Sequence, residues 1–316
     1  MEILDNPFSD LYLTEKNDIY ITDKKYKNSL KKIEPDDKEE FIENFHSIMH
    51  KDSSYSFTYK GTHFRVECSK AIAGLLWCCR RMPQSVPSIY NLGFDNKFTK
   101  YMLSLADKSG LILWSGATGQ GKTTSISALL HEYLTLSGGF AYTIEDPAEM
   151  PLEGEYSAVN GSIGFCQQIE VIDDDWKTPL KGALRSHPKY ILIGEIRTAD
   201  AAIECLRAAI SGHLVLATIH AGTITDAIHS LVKYAVPLMS EESAYNTLSR
   251  GILAIINQEL IGSTNKIPEI EMLFANPELN RACATRSVIR SGNINLASII
   301  ERQKIRLNQN KPIFDK

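Results

Sequence analysis

The sequence predicts an α/β protein that has a doubly wound, mostly parallel sheet in its larger part and a smaller α+β domain before it. From about residue 97 onward, short unbroken apolar runs alternate with helix-like segments, as in parallel strands covered on both faces. A glycine-rich segment, residues 116–123, stands between one such run and a helix. Before residue 95, apolar and polar residues alternate instead, which is typical of half-buried strands.

The first 95 residues predict a separate small domain. The prolines at positions 83 and 87 mark residues 82–96 as a linker, so the second domain is expected to cover residues 97–316. The predicted elements of the small domain are strands over 9–13 and 18–22, a charged helix over 36–50 and a hairpin over 55–68.

The larger domain is expected to alternate helices with strands and to be mostly helical from residue 241 onward. Its four predicted strands are unbroken apolar runs, and the segment after them is expected to be mostly helical. The strands are 111–114, 140–144, 190–193 and 214–219, and the later helices are 244–261, 278–291 and 295–304.

Residues 116–123 fit the pattern GxxxxGK[ST] of a phosphate-binding loop, between a predicted buried strand and a predicted helix over 124–134. The glycines let backbone N–H groups turn toward phosphate oxygens, and the helix N-terminus adds partial positive charge. Lys122 would contact the β- and γ-phosphates, and the Thr123 hydroxyl would bind Mg²⁺. The predicted nucleoside triphosphate site comprises Gly116, Ala117, Thr118, Gly119, Gln120, Gly121, Lys122, Thr123 and Thr124.

Three carboxylates, Glu145, Asp146 and Glu149, follow the predicted strand 140–144 around Pro147. A phosphate loop that holds Mg²⁺ needs carboxylates nearby to orient the metal and the attacking water. A solvated acidic turn is the alternative for such a segment by itself. Its position after a strand, downstream of the phosphate loop, favours a functional role.

The strand 190–193 ends in Gly194 and Glu195, as in a Walker B strand. Glu195 would hold Mg²⁺ through water, and Gly194 is expected to let the strand end lie close to the phosphate loop. His213 and His220 stand at the two ends of the strand 214–219. Because no third ligand follows at a suitable spacing, they indicate structural histidines rather than a metal site.

The composition argues against two classes of protein, those that coat nucleic acid and those that span a membrane. The net charge of −4 and the pI near 6.1 argue against a surface that coats nucleic acid, so no direct nucleic-acid binding is expected. No apolar stretch approaches the roughly 20 residues of a membrane-spanning helix, and the first residues lack a signal peptide. We expect a cytoplasmic protein without a transmembrane segment that can dock on a membrane complex.

The order of these four segments resembles the secretion ATPase superfamily, the hexameric motors of type IV pili and of type II and type IV secretion. Residues 9–13 resemble its opening strand, and the segments around Arg65 and Arg80 resemble a second signature. The chain is most similar to the pilus-retraction branch and to the branch of type IVB secretion and conjugation. The resemblance implies a RecA-like doubly wound P-loop NTPase domain after a PAS-like N-terminal α+β domain.

The same resemblance implies roles for four residues. Glu149 matches the proposed general base for water, and Glu195 matches the Walker B glutamate. His213 and His220 match two histidines of the superfamily, one of which senses the γ-phosphate.

Three arginines are also matched. Arg65 and Arg80 match arginines that reach the nucleotide of the same or a neighbouring subunit, and Arg185 matches one that precedes the Walker B strand. The chain departs from the superfamily at Lys181, where the family has an arginine, and a lysine cannot make its bidentate contact. The usual Asp-Pro-Asp before the Walker B strand is replaced by residues 187–189.

The function implied is that of a Mg²⁺-dependent ATPase. It would form a homo-hexamer at the cytoplasmic side of the inner membrane and work with inner-membrane and cytoplasmic components of a secretion, conjugation or pilus machine. Two alternatives are a structural subunit switched by nucleotide and a nucleic-acid translocase.

Overall fold

The computed structural model describes residues 1–22, 29–48, 54–172, 174–262, 266–278 and 283–314. The contacts within the chain divide it into two units. The first comprises Met1–Ser85 and Pro147–Pro151, and the second comprises Val86–Asp146 and Leu152–Lys316. In the described part, no helix is both long and apolar enough to cross a membrane.

In its described residues, the first unit is an antiparallel sheet with the helix α1 (Lys38–Ser47) packed against it. Phe41 and Phe45 of α1 pack edge-on against Phe57 of the sheet, with ring centroids 5.5 and 5.1 Å apart. The strands are β1 (Asp10–Thr14), β2 (Ile19–Thr22), β3 (Leu30–Ile33), β4 (Ser54–Tyr59), β5 (Thr62–Ala71) and β6 (Gly74–Arg81), in the order β3-β2-β1-β6-β5-β4.

The elements predicted for this unit are confirmed, including the hairpin between β4 and β5. The last two residues of the predicted helix 36–50 lie outside the described residues. The strands β3 and β6 were not predicted. β6 is the central partner of both β1 and β5, so it connects the two halves of the sheet.

The second unit contains a sheet whose six middle strands are parallel and whose edge strands are antiparallel. Its order is β14-β13-β7-β12-β11-β8-β10-β9. The strands are β7 (Gly110–Gly116), β8 (Gly139–Glu145), β9 (Gly154–Ser157), β10 (Ile163–Glu170), β11 (Tyr190–Ile193), β12 (Leu214–His220), β13 (Ile252–Ile261) and β14 (Ile267–Phe274).

Helices cover both faces of this sheet, so the predicted doubly wound α/β fold is confirmed. Helices α4 to α7 contribute to one apolar core, and α2, α3 and α9 contribute to the other. The helices are α2 (Asn96–Leu103), α3 (Lys122–Ser137), α4 (Lys177–Arg185), α5 (Ala199–Ala209), α6 (Ile224–Ala235), α7 (Glu241–Gly251), α8 (Ala284–Ser291) and α9 (Ala297–Asn308).

The predicted helix over 244–261 is wrong in its second half. Helix α7 ends at Gly251, and the next ten residues form β13, which pairs in parallel with β7 and antiparallel with β14. The run Ile252 to Ile256 is apolar at every position, because the strand is buried on both faces. Such a run has no period that separates a buried strand from a buried helix. Part of the predicted helix 278–291 lies outside the described residues, and α8 forms its last eight.

Candidate nucleotide-binding site

The phosphate loop joins the fully buried strand β7 to the N-terminus of α3, as predicted. Gly119 and Gly121 both have a φ of +76°, a left-handed conformation that other residues adopt only with strain. Helix α3 begins at Lys122, and Gly121 in front of it has no side chain that could cap the first N–H groups. The loop therefore presents its backbone N–H groups in the way an anion site requires.

Two glycines of the loop differ in the space around them. A Cβ added to Gly116 would lie 2.4 Å from the carbonyl oxygen of Gln258, whereas one added to Gly119 would meet nothing within 4 Å. The Lys122 ammonium donates to the carbonyl oxygen of Ala117 at 2.9 Å, so it reaches across the loop. The open side at Gly119 and the lysine that spans the loop fit a triphosphate.

Gln258, near the end of β13, supports the phosphate loop from the side of the sheet, and no local sequence pattern marks it. Its side chain is 2% exposed. Its Oε1 accepts hydrogen bonds from the Trp114 indole at 2.8 Å and from the Ser125 hydroxyl at 2.9 Å. Its Nε2 donates to the carbonyl oxygen of Gln120 at 2.5 Å. One buried amide thus ties together β7, the loop and the first turn of α3.

Glu195 and His220 lie beside the loop at the carboxyl ends of adjacent strands. In the parallel register, His220 is opposite Gly116, and β11, which leads to Glu195, is the neighbour of β12 on its other side. The His220 Nε2 is 3.1 Å from a carboxylate oxygen of Glu195, and both side chains are partly exposed. The structure therefore brings Lys122, Glu195 and His220 to one edge of the sheet.

The first two carboxylates of the acidic segment are engaged by protein groups. Glu145 is buried and accepts hydrogen bonds from Thr143 Oγ1 at 2.8 Å and from Gln168 Nε2 at 3.0 Å. Asp146 forms an ion pair with Arg197. These two carboxylates therefore have structural partners, and neither was named as a catalytic residue.

Gly194 packs against Glu145 at the end of β8, and not against the phosphate loop as predicted. A Cβ at this position would lie 3.0 Å from Cγ of Glu145 and 3.3 Å from its Cα, and the phosphate loop is not among its nearest neighbours. Gly194 is therefore required for close packing of β11 against β8, rather than against the loop.

Three predicted site residues belong to the first unit. Arg65 Nη1 lies 3.8 Å from a carboxylate oxygen of Glu149, and both side chains are about 40% exposed. The Arg80 Nε donates to Asp10 at 2.8 Å. Arg65 and Arg80 are cross-strand neighbours on β5 and β6, so both lie on one face of the sheet.

His213 and Arg185 are not brought to the phosphate loop of their own chain. His213 stands at the amino end of β12, where its Nδ1 is 2.7 Å from the carbonyl oxygen of Pro188. Arg185 ends α4 and is exposed, before the amino end of β11. The phosphate loop follows the carboxyl end of β7, which runs parallel to β12. His213 and Arg185 therefore lie toward the opposite edge of the sheet.

The chain is similar to known proteins over most of its length. The model of the family described as Type II/IV secretion system protein matches residues 54–314. The chain is 36% identical over 184 residues to the competence protein ComGA of Halalkalibacterium halodurans, covering 58% of the chain and 49% of ComGA. It is 29% identical over 264 residues to the type IV pilus retraction ATPase PilT of Pseudomonas aeruginosa, covering 82% of the chain and 69% of PilT. The chain spans about half the length of the first curated relatives it matches, ComGA among them.

Two solved structures share the fold over almost the whole chain. The pilus retraction motor PilT with bound ADP matches with a TM-score of 0.72 and 26% identity, covering 99% of this chain and 91% of PilT. The ATPase DotB of Legionella pneumophila matches in fold with a TM-score of 0.67 and 18% identity, covering 96% of this chain and 84% of DotB. The fold of this chain, an N-terminal domain followed by a RecA-like domain, therefore matches the fold of both structures. The chain belongs to the Type II/IV secretion system protein family.

Proposed function

We propose that this chain is a Mg²⁺-dependent ATPase that forms a homo-hexameric ring. The ring would be attached peripherally to the cytoplasmic side of the inner membrane, where it powers a pilus, secretion or conjugation machine. The observation that supports hydrolysis most directly is the meeting of Lys122, Glu195 and His220 at one sheet edge, beside the phosphate loop. The relatives named as a pilus retraction ATPase and a retraction motor with bound ADP support the choice of nucleotide and of machine.

In this proposal, the loop N–H groups and Lys122 hold the phosphates, and Thr123 with Glu195 holds Mg²⁺. Mg²⁺ held there would supply positive charge that neutralises the phosphates. Magnesium sites of this kind use few protein ligands together with phosphate oxygens and water, which matches one hydroxyl and one carboxylate. His220 would sense the γ-phosphate, and its contact with Glu195 would transmit the presence of that phosphate to the carboxylate.

Glu149 is our candidate for the base that activates water, and Arg65 is our candidate for the group that orients it. Their contact of 3.8 Å places a positive charge beside a carboxylate that is otherwise exposed. Arg80 is proposed to reach a nucleotide as well, as the superfamily implies. Because His213 and Arg185 lie toward the opposite edge from their own loop, any nucleotide contact they make would require a neighbouring subunit.

The test is steady-state phosphate release by Lys122→Ala and Glu149→Gln, each measured with nucleotide binding. We expect Lys122→Ala to lose both binding and turnover. Glu149→Gln should keep ATP binding and lose turnover by about 10²–10⁴-fold, the usual contribution of general-base catalysis. The exposed Glu155 on β9 provides the control, and Glu155→Gln should behave as wild type.

Two results would count against the proposal. Near wild-type turnover by Glu149→Gln would remove Glu149 as the base. Tight ATP binding by the wild-type ring without turnover would instead support a nucleotide-switched structural subunit.

A further inference from the structure

A polar cavity of about 830 Å³ lies at the amino-terminal edge of the parallel strands, toward the opposite end from the phosphate loop. It is lined by the residues that lead into β7, β12 and β13 and by one side of α8. Since β7 is seven residues long, the two edges are about 20 Å apart along the strand. The cavity is therefore separate from the candidate nucleotide site.

The lining of this cavity carries positive charge that the described residues do not balance. Among the described lining residues the one carboxylate, that of Asp107, is bound by Lys189 at 2.7 Å, and the one lysine, Lys108, is bound by Glu278 at 2.6 Å. Three arginines of the lining, Arg250, Arg286 and Arg290, form no ion pair with any described residue. Three guanidinium charges thus face one cavity in a chain whose net charge is −4.

Arg286 is the most unusual of the three, because its residue is only 2% exposed. Its Nη1 donates to the carbonyl oxygens of Ser249 and Arg250, and so caps the C-terminus of α7. These hydrogen bonds satisfy one nitrogen of the guanidinium, but the carbonyl oxygens carry no formal negative charge. The Nε of Arg286 is buried and has no hydrogen-bond partner in the described structure. Burial lowers the pKa of Arg286 below its ordinary value. A buried cation without a counter-charge is costly.

Arg290 adds to this cost rather than relieving it. It lies four residues after Arg286 on α8, so both side chains project from the same face of the helix, where like charges repel. Its Nε is 3.4 Å from the hydroxyl of Ser249, a neutral group. Arg250, in the last turn of α7, brings a third cation to the same cavity. An anion between α7 and α8 would remove the repulsion among all three.

We propose that this cavity binds the phosphate group of a small phosphorylated molecule through Arg250, Arg286 and Arg290. The planar fork of a guanidinium matches the oxygens of a phosphate, and three such groups suit a group that carries two negative charges. The volume lies within the range of small-molecule sites. The proposal goes beyond ATP hydrolysis, since none of these residues belongs to the phosphate loop or to its partners.

The test uses the full-length Lys122→Ala protein, in which the phosphate loop no longer competes for the probe. Inorganic pyrophosphate is titrated into this protein at constant ionic strength and binding is followed by calorimetry. Adding Arg250→Gln and Arg290→Gln together should weaken pyrophosphate binding at least about tenfold. Both arginines are exposed and Arg286 keeps its cap, so the fold should persist, which thermal unfolding verifies. Adding Arg302→Gln on α9 instead is the matched control and should leave binding unchanged.

Three outcomes would overturn the proposal. The first is no pyrophosphate binding to Lys122→Ala up to about 10 mM. The second is equal binding with and without the two arginine substitutions. The third is tighter binding of a triglutamate peptide than of pyrophosphate, which would assign the cavity to an acidic protein segment. Because every protein in the test carries Lys122→Ala, a failure here is independent of whether the chain hydrolyses ATP.

Discussion

Gln258 of β13 is hydrogen-bonded to Gln120 of the phosphate loop, and a second hydrogen bond joins the Gln120 side chain to the backbone of β13. Gln258 donates from its Nε2 to the Gln120 carbonyl oxygen at 2.5 Å, and the side-chain oxygen of Gln120 accepts from the N–H of Leu260 at 2.6 Å. The phosphate loop is therefore held by the last residues of β13, 138 positions later in the chain. This contact makes β13 a part of the candidate site.

Replacing Gln258 by leucine should weaken nucleotide binding. The substitution leaves the Trp114 indole and the Ser125 hydroxyl without their acceptor, at a cost of about 1–3 kcal/mol for each buried group. The loop also loses its tie to β13, so we expect about tenfold weaker ADP binding. Calorimetric titration and thermal unfolding measure the two effects.

Gln303→Leu is the matched control for this prediction. Gln303 is also a buried glutamine, and it bonds both the N–H and the carbonyl oxygen of Phe274. Its replacement should lower the melting temperature without changing ADP affinity. If the two variants lose stability alike and bind ADP equally well, Gln258 has no positioning role.

Two glycines of the loop should respond differently to alanine. Gly116→Ala would put a methyl group 2.4 Å from the Gln258 carbonyl oxygen, at a φ of +151°, so the protein should lose several kcal/mol of stability or fail to fold. Gly119→Ala meets no atom within 4 Å and costs only about 1–2 kcal/mol for its left-handed backbone. We expect Gly119→Ala to fold and to bind nucleotide poorly, because its methyl group enters the open side of the loop. Urea unfolding measures the stability of each variant, and titration with ADP measures its affinity. If Gly119→Ala folds and binds ADP with normal affinity, the phosphates do not lie at the open side of the loop.

His220 should contribute to catalysis, whereas His213 should contribute to stability. His220→Ala removes the partner of Glu195 from an exposed site, so turnover should fall while the melting temperature changes little. His213→Ala removes a buried hydrogen bond to Pro188, which should cost about 1–3 kcal/mol of stability. Phosphate release at a temperature where both variants are folded tests the distinction. If His213→Ala loses more turnover than His220→Ala, the two roles are the opposite of those expected.

Arg65 should act through Glu149. The pair is about 40% exposed, so Arg65→Gln should change stability by less than about 1 kcal/mol. If Arg65 orients the base, Arg65→Gln should lower turnover, and adding it to Glu149→Gln should cause no further loss. A double-mutant cycle on phosphate release measures this coupling. Strictly additive losses would show that Arg65 acts on another group.

Prediction from the sequence succeeded where neighbouring residues by themselves determine the local structure. The phosphate loop was predicted in place because its glycines, lysine and flanking apolar runs are contiguous. Four of the six parallel strands, β7, β8, β11 and β12, were predicted because each is an apolar run of strand length between turn signals. Glu195 and His220 were predicted at strand ends, and their contact follows from the parallel register of β11 and β12.

The hairpin of β13 and β14 was not predictable in the same way. Residues 252–256 are apolar throughout, and the segment follows directly after a helix, so continuation of the helix was the simpler interpretation. What makes the segment a strand is its pairing with β7, a contact between residues more than 130 positions apart. The role of Gln258 depends on that pairing and was hidden for the same reason.

The sequence by itself determined the class of the fold, the phosphate loop and the carboxylate and histidine that end two neighbouring strands, because each is encoded by adjacent residues. The tertiary structure decided which strand supports the loop and which histidine stands beside it. It also decided that three arginines from two helices share one cavity. These facts depend on strand order and helix packing, in which the stabilising contacts join residues far apart in the chain.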